Sequence, residues 1–557
     1  MNNKDNRNYF RTDFSESIFN YKYKHNKAET WKELSETLIQ DVCRDFISSE
    51  EKEELVKMHT NMEFIAGGRY LYYAGREYKA FNNCYLLRAE EDTREEWSAL
   101  TQRAMACLMT GGGIGIDYSI LRPEGEKLSR TGGTASGPIP LMYSINEIGR
   151  NVMQGGSRRS AIYGSLNWQH KDAYKFLHIK DWYNIPVNGL ENTSIGNLKE
   201  LDFNYPAPLD MTNISLNYDN KFLEALNKGE LPVTFIDNVR QALKTGEPGF
   251  SFNFGDKENE TLRNACTEVT SSDDSDVCNL ASINMANIDT LERFKEVVRL
   301  SIRFLLCGTL VADLPYKKVE IVREMNRRLG LGLMGVHEWL LKRGYKYEVV
   351  PELHEWLKVY KEISEESANE LADKLSISRP VAYRAIAPTG TIGIMAGTTT
   401  GIEPLFAVAY KRRYLKGKLD WHYQYVIDGT AKILIQKFGI KPDDIESALD
   451  LASDPERRIK FQADVQDYVD MSISSTINIP RWGSELNNDT KVLDFAKILA
   501  KYAPRLRGFT CYPDGARGGQ PLTSVSYQEA YEHEGKEFKE TFHDICEIGG
   551  KGGVCGI

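Results

Sequence analysis

The chain has 557 residues, of which 41% are hydrophobic and 27% charged, with a formal net charge of -9. This is the composition of a soluble globular protein, and it argues against nucleic acid as the main partner because phosphate backbones need a concentrated basic face. A small anionic ligand held by a local basic cluster is not excluded. The opening MNNKDNRNYFRTDF has no apolar run of the export type, and the apolar stretch from Phe304 to Leu314 is too short for a membrane span. Nine cysteines without a CxxC pair suggest neither a disulfide framework nor a zinc ribbon. The expectation is a cytoplasmic protein with reduced thiols, no metal ligands of its own and no membrane contact.

In chain order, residues 28–62 read as helices. Trp31, Leu34, Leu38 and Val42 recur at helical spacing, and Ser48-Ser49 before Glu51 to Glu53 looks like the cap of a second helix. From about residue 65 the texture changes to short apolar strands, glycine-rich turns and helices. Cys84 sits in AFNNCYLL, where a lone thiol is as well explained by core packing. Gly111, Gly112, Gly113 and Gly115 in MTGGGIGIDYS lack nucleotide-fingerprint spacing and read as a tight turn or a close backbone approach. Gln154-Gly155-Gly156-Ser157-Arg158-Arg159 suits either an anion-sensing loop or a solvated turn. Strand-like runs cover Tyr163 to Leu166, Ile214 to Leu216, Val381 to Ala387 and Ser472 to Ile479.

Asn264-Ala265-Cys266-Thr267-Glu268 carries the densest chemistry. If extended, it would set an amide, a thiol and a carboxylate on one face. Cys278 follows in DVCNLASINM. Phe294 to Leu310 reads as an apolar helix, and Glu352 to Leu375 as a charged amphipathic pair. In Ala387-Pro388-Thr389-Gly390-Thr391-Ile392-Gly393, backbone N–H groups and two hydroxyls could cradle phosphate, or form a simple strand-to-helix turn. Cys43, Cys107 and Cys307 lie in apolar helical contexts and read as core residues. Cys546 and Cys555 lie in a charged, glycine-ending tail that reads as mobile and able to exchange with a buried disulfide. Strands alternating with long helices suggest a large α/β unit of barrel type.

Together NNCYLL, GGGIGIDYSILRPEG, ASGPIPLM, QGGSRRSA, NACTEV, VCNLASIN, APTGTIG…GIEPLF and STINIP resemble, in order, the catalytic chain of ribonucleotide reductases. The resemblance implies a ten-stranded α/β barrel of two half-barrels with a central finger loop over residues 63–527. A helical region (1–62) would precede it, and a flexible redox tail (528–557) would follow. It implies Cys266 as the thiyl radical, Glu268 as base, Asn264 as sugar hydrogen-bonder, and Cys84 with Cys278 as the reducing pair. For a disulfide, the Cα atoms of that pair must come within ~7 Å.

Cys546 and Cys555 would reset the pair and draw on a thioredoxin-like or small dithiol reductant. Asn83, Pro388, Thr389, Gly390, Thr391 and Ile392 would hold the ribonucleotide. Asp92, Arg122, Gln154, Gly155, Gly156, Arg158 and Arg159 would hold a nucleoside triphosphate effector, at a site often built in a homodimer.

GFTCYPDGARGGQPLTSV and GRYLYYAGREYKAFNNCY are similar to the adenosylcobalamin-dependent class. The class with a separate metal-containing subunit carries two adjacent tyrosines where this chain has Cys511-Tyr512. Dependence on such a subunit is the alternative, and a catalytically inactive nucleotide-binding regulator a third.

Overall fold

The computed structural model describes residues 9–129, 132–152, 160–202, 204–416, 420–515 and 522–539. Helices Trp31–Cys43 and Ser49–Thr60 form where the sequence places them, each opened by a reciprocal capping box, Thr30 with Glu33 and Ser48 with Glu51. Their apolar stripes pack on Leu291–Val311, which covers the predicted apolar helix, within one hydrophobic core. Residues 352–375, expected as a helical pair, form instead the single helix Pro351–Lys374; proline occupies its first turn, where its missing N–H costs nothing.

The strands in chain order are β1 (Phe64–Ala66), β2 (Cys84–Arg88), β3 (Gly113–Asp117), β4 (Ile162–Asn167), β5 (Thr212–Tyr218), β6 (Gly249–Phe252), β7 (Leu262–Arg263) and β8 (Thr270–Ser271). They continue with β9 (Asp276–Asn284), β10 (Leu329–Met334), β11 (Ala409–Lys416), β12 (Asp420–Ile427), β13 (Thr476–Ile479), β14 (Gly508–Pro513), β15 (Leu522–Ser524) and β16 (Glu537–Lys539). The main sheet has 10 strands, in the order β1-β9-β2-β3-β4-β5-β6-β14-β13, with β10 also on β9. Strands β2 to β6 are mutually parallel, as are β9 with β10 and β13 with β14. The two sets join through antiparallel pairs, β2 with β9 and β6 with β14.

Isolated parallel bridges Leu331↔Arg384 and Ile386↔Ile473 carry β10 through residues 384–386 to the stretch before β13, closing the sheet on itself. The result is an α/β barrel of two half-barrels running in opposite directions. Residues 381–387 make only bridges because the N–H groups of Tyr383 and Arg384 donate to the Asp470 carboxylate at 2.6 and 2.9 Å. Every residue of β9 is buried, as expected of a strand flanked on both edges and both faces.

Hairpin β7–β8 crosses the barrel interior. Its Arg263 reaches Ser251 Oγ (2.9 Å), Asn253 Oδ1 (2.8 Å) and the Arg507 carbonyl (2.8 Å) on the β6–β14 side. On the opposite side it packs against β3. A Cβ on Gly115 would lie 1.6 Å from the Arg263 carbonyl oxygen, and one on Gly113 would lie 3.3 Å from the Ala265 Cβ. The glycine run is thus a close backbone approach.

A second sheet, β15-β11-β12-β16, had no forewarning in the sequence. Residues 528–539, expected to begin a mobile tail, instead contribute most of helix Tyr527–His533 and strand β16 to this unit. Alternating Tyr423 and Tyr425 gather Phe538 and His533 into one aromatic cluster.

Candidate active site

The tip of the hairpin is a turn, not an extended run. Thr267 N–H donates to the Asn264 carbonyl at 2.9 Å, and Thr267 adopts a left-handed φ of 70°. The expectation of an alternating face over 264–268 is therefore corrected. Asn264, Cys266 and Glu268 still meet, because a turn at a hairpin tip crowds its side chains into one volume.

Asn264 is the hinge of this cluster. Its Oδ1 accepts from Val269 N–H (2.9 Å), which leaves its Nδ2 to donate to Cys84 Sγ at 3.0 Å. Asn213, on β5, holds the turn by donating to the Ala265 carbonyl at 3.1 Å. Glu268 is 1% exposed, and its Oε2 has no hydrogen-bond partner. Burial raises its pKa to about 7, offset in part by a hydrogen bond from Asn264. Such a carboxyl is poised to exchange protons at neutral pH.

Cys84 lies directly across from Cys278 in the antiparallel β2–β9 register. Facing residues in such a ladder sit ~4.5–5.5 Å apart at Cα, within disulfide reach. Both are free thiols. Burial pushes both well above the usual thiol range; charge on Glu268 adds to this at Cys84, while Arg328 opposes it at Cys278. Arg328 pairs with buried Asp276 at 2.8 Å, one strand position from Val277. Cys266 differs: its side chain is exposed, opening onto the interior cavity while protein surrounds it. That enclosure and the Glu268 charge raise its pKa as well.

The cavity measures 260 Å³ and is lined by Asn83, Cys84, Asn264, Cys266, Glu268 and all of Pro388 to Ile392. Two ends of the barrel strands supply it: the start of β2 in one half, and the chain after residue 386 in the other. Thr389 is left-handed (φ 50°), and its Oγ1 accepts from Gly401 N–H at 2.8 Å, fixing the turn into helix Gly390–Ala396. Cys278 stands behind Cys84 and does not line the cavity. Lys22, Tyr23, Arg69 and Ser282 were missed by sequence reasoning. Tyr23, Arg69 and Ser282 line the cavity, and Lys22 Nζ donates to Thr391 Oγ1 at 3.3 Å. Ser282 lies within VCNLASIN and Arg69 within GRYLYY, both inside segments that carry the resemblance.

Asp92 and Arg122 line a separate cavity of 680 Å³ with Arg94, Trp97 and Ser98. Arg122 pairs with Asp92 through Nε, and its backbone N–H donates to the same carboxylate at 3.0 Å. Gln154, Gly155, Gly156, Arg158 and Arg159 lie outside the described residues, as do Cys546 and Cys555. Cys43, Cys107, Cys307 and Cys511 are buried. Among the described residues no cluster of His, Cys, Asp and Glu could hold a metal, and no helix is long and apolar enough to cross a membrane.

The family described as ribonucleotide reductase, barrel domain, matches residues 82–245, 237–375 and 354–503. The chain belongs to the ribonucleotide reductase family. A vitamin B12-dependent ribonucleoside-diphosphate reductase of Mycobacterium tuberculosis is 26% identical over 85% of this chain and 73% of its own. A protein of the same name from Thermoplasma acidophilum is 27% identical over 84% and 65%. An adenosylcobalamin-dependent ribonucleoside-triphosphate reductase of Euglena gracilis is 22% identical over 81% and 62%. The chain thus spans roughly two thirds of the length of these relatives. As a ribonucleotide reductase it has the family's barrel, with the finger hairpin running through its centre.

Proposed function

We propose that this chain reduces ribonucleotides to 2′-deoxyribonucleotides, with adenosylcobalamin as the source of a radical at Cys266. One observation carries the reading: the fingertip Asn264, Cys266 and Glu268 share a 260 Å³ cavity with Cys84 and the 388–392 turn, and Cys278 faces Cys84 from behind. The names of the relatives favour adenosylcobalamin over a separate radical-generating subunit. Among the five residues of the chemistry, only Cys266 is exposed. Its sulfur opens onto the cavity while the other four are buried, so it is the residue on which this cofactor would act. When bound, the cofactor supplies one-electron chemistry that converts the Cys266 thiol to a thiyl radical.

The chain's own residues do the rest. Cys266 sulfur takes the 3′-hydrogen of the ribose, and Glu268 takes the 3′-hydroxyl proton. The 2′-hydroxyl leaves as water, protonated from the Cys84–Cys278 pair. The pair gives up two electrons and two protons in all, one proton to the leaving water and one hydrogen to C2′, and becomes a disulfide, after which Glu268 returns its proton to the 3′-oxygen and Cys266 its hydrogen to C3′. High thiol pKa values suit this, since donors of hydrogen atoms and protons must hold their protons until needed. Asn264 orients the sugar while bonded to Cys84.

The phosphates lie along 388–392, beside Asn83. Cys546 and Cys555 exchange with the spent disulfide and pass it to a thioredoxin-like or small dithiol reductant. A nucleoside triphosphate effector binds at Asp92 and Arg122, in a homodimer, and the resemblance assigns Gln154 to Arg159 to the same effector.

The test is anaerobic incubation of the pure chain with ribonucleotide, dithiol and adenosylcobalamin, followed by deoxynucleotide measurement. Product is expected with cofactor and absent in Cys266→Ser. Product that requires an added metal subunit would overturn the cofactor assignment, and a fully active Cys266→Ser would overturn the mechanism.

A further inference from the structure

The segment ahead of the barrel does more than pad the fold. Helix Asp13–Lys22 is pinned onto helix Gly390–Ala396 from outside. Ser15 Oγ donates to the Ile394 carbonyl at 2.8 Å. Arg11 Nη1 donates to the fully buried Glu338 carboxylate at 2.7 Å and to the Gly397 carbonyl at 3.1 Å. This docking fixes where the helix ends: Tyr23, 2% exposed, becomes cavity wall, and half-buried Lys22 reaches Thr391 Oγ1 at 3.3 Å.

The direction of the cavity decides what these residues meet. On the proposed function, on which this inference rests, the ribose is fixed at the Cys266–Glu268 end. The phosphate chain then runs along 388–392, and the Lys22 ammonium, 3.3 Å from Thr391 Oγ1, stands beside the far end of that turn. Lys22 also prepares its neighbour. By donating to Thr391 Oγ1 it occupies a lone pair of that oxygen and leaves the Thr391 O–H free to donate to an anion. An ammonium on a flexible four-carbon stem suits a terminal phosphate whose position varies with chain length, better than a rigid guanidinium would.

We propose that Lys22, presented by the docked N-terminal helix, binds the terminal phosphate of the substrate and makes the site selective for di- or triphosphates over monophosphates. The test is titration calorimetry of the full chain with CDP, CTP and CMP, together with kcat and KM for the reducible nucleotide. Lys22→Ala should weaken CDP and CTP binding and raise KM by about tenfold or more, the size of a lost charge-assisted hydrogen bond. CMP binding and kcat should hold.

Lys22→Arg should recover part of the loss. Lys24→Ala, which removes an exposed charge two residues on, should change nothing. Matching melting curves would show that the variants fold. Unchanged CDP affinity in Lys22→Ala, or an equal loss for CMP, would overturn the proposal. A wild-type chain that binds CDP in a Lys22-dependent way without reducing it would refute the proposed function and leave this inference standing; no binding of CDP or CTP would refute both.

Discussion

Replacing Glu268 with glutamine separates the catalytic use of this carboxyl from its effect on stability. Buried at 1% exposure, it titrates near 7, against 4.5 for an unperturbed glutamate. The folded chain therefore holds this proton more tightly than the unfolded chain does. Stability from that proton is fully present below pH 4.5 and is lost as pH rises through about 7. At ~1.36 kcal/mol per pH unit the loss reaches about 3 kcal/mol by pH 8.

Glutamine keeps the size and polarity and never ionises. Glu268→Gln should thus match wild type in melting temperature at pH 4.5 and exceed it at pH 8. With an unfolding entropy of ~2.1 cal/mol/K per residue, the gain should be about 2–3 °C. The assay is calorimetry or fluorescence melting at both pH values and one scan rate, since chains of this size often unfold irreversibly. Deoxynucleotide formation should vanish in the same variant, and the wild-type rate should rise with pH through about 7 as the carboxylate forms. A stability difference independent of pH, or a variant less stable at pH 8, would refute the reasoning.

Other outcomes follow from the same geometry. One turnover without external reductant should leave a Cys84–Cys278 disulfide, read by peptide mass spectrometry, while Cys43, Cys107, Cys307 and Cys511 remain thiols; Cys278→Ser should form no product. Gly115→Ala drives a methyl into the Arg263 carbonyl, at 1.6 Å, and should displace the hairpin, lowering stability by ~3 kcal/mol or more together with activity. Gly113→Ala, whose nearest contacts lie at 3.3 Å, should be far milder in the same melting and activity assays. Tyr512→Phe should leave cofactor-dependent turnover intact, whereas its loss would point to a tyrosine relay from a separate subunit.

Local structure was legible where the causes are local. The capping boxes at Thr30 and Ser48, the stripe Trp31-Leu34-Leu38-Val42 and the apolar run in Leu291–Val311 all carry their signals within a few residues. Residues 264–268 misled because alternation is a rule for strands, and the segment is the tip of a hairpin with a left-handed Thr267. The sheet from β11 to β16 was invisible because β15 and β16 join the β11–β12 hairpin only from far along the chain, and β16 gains its ladder only once β12 exists. Residues 381–387 carried a strand pattern, but Asp470, 86 positions from Arg384, takes the N–H groups a ladder would use.

The residues, with the family resemblance they carry, were enough to propose roles for Asn264, Cys266 and Glu268 and to nominate Cys84 and Cys278 as partners. They could not say that the two thiols face each other, because register across 194 residues belongs to the closed barrel rather than to either segment. Nor could they bring Lys22 to Thr391, 369 residues away, and Tyr23 to the same cavity. That contact exists because Arg11 and Ser15 dock a helix on the far half-barrel, and surface complementarity of that kind forms only after both partners have folded.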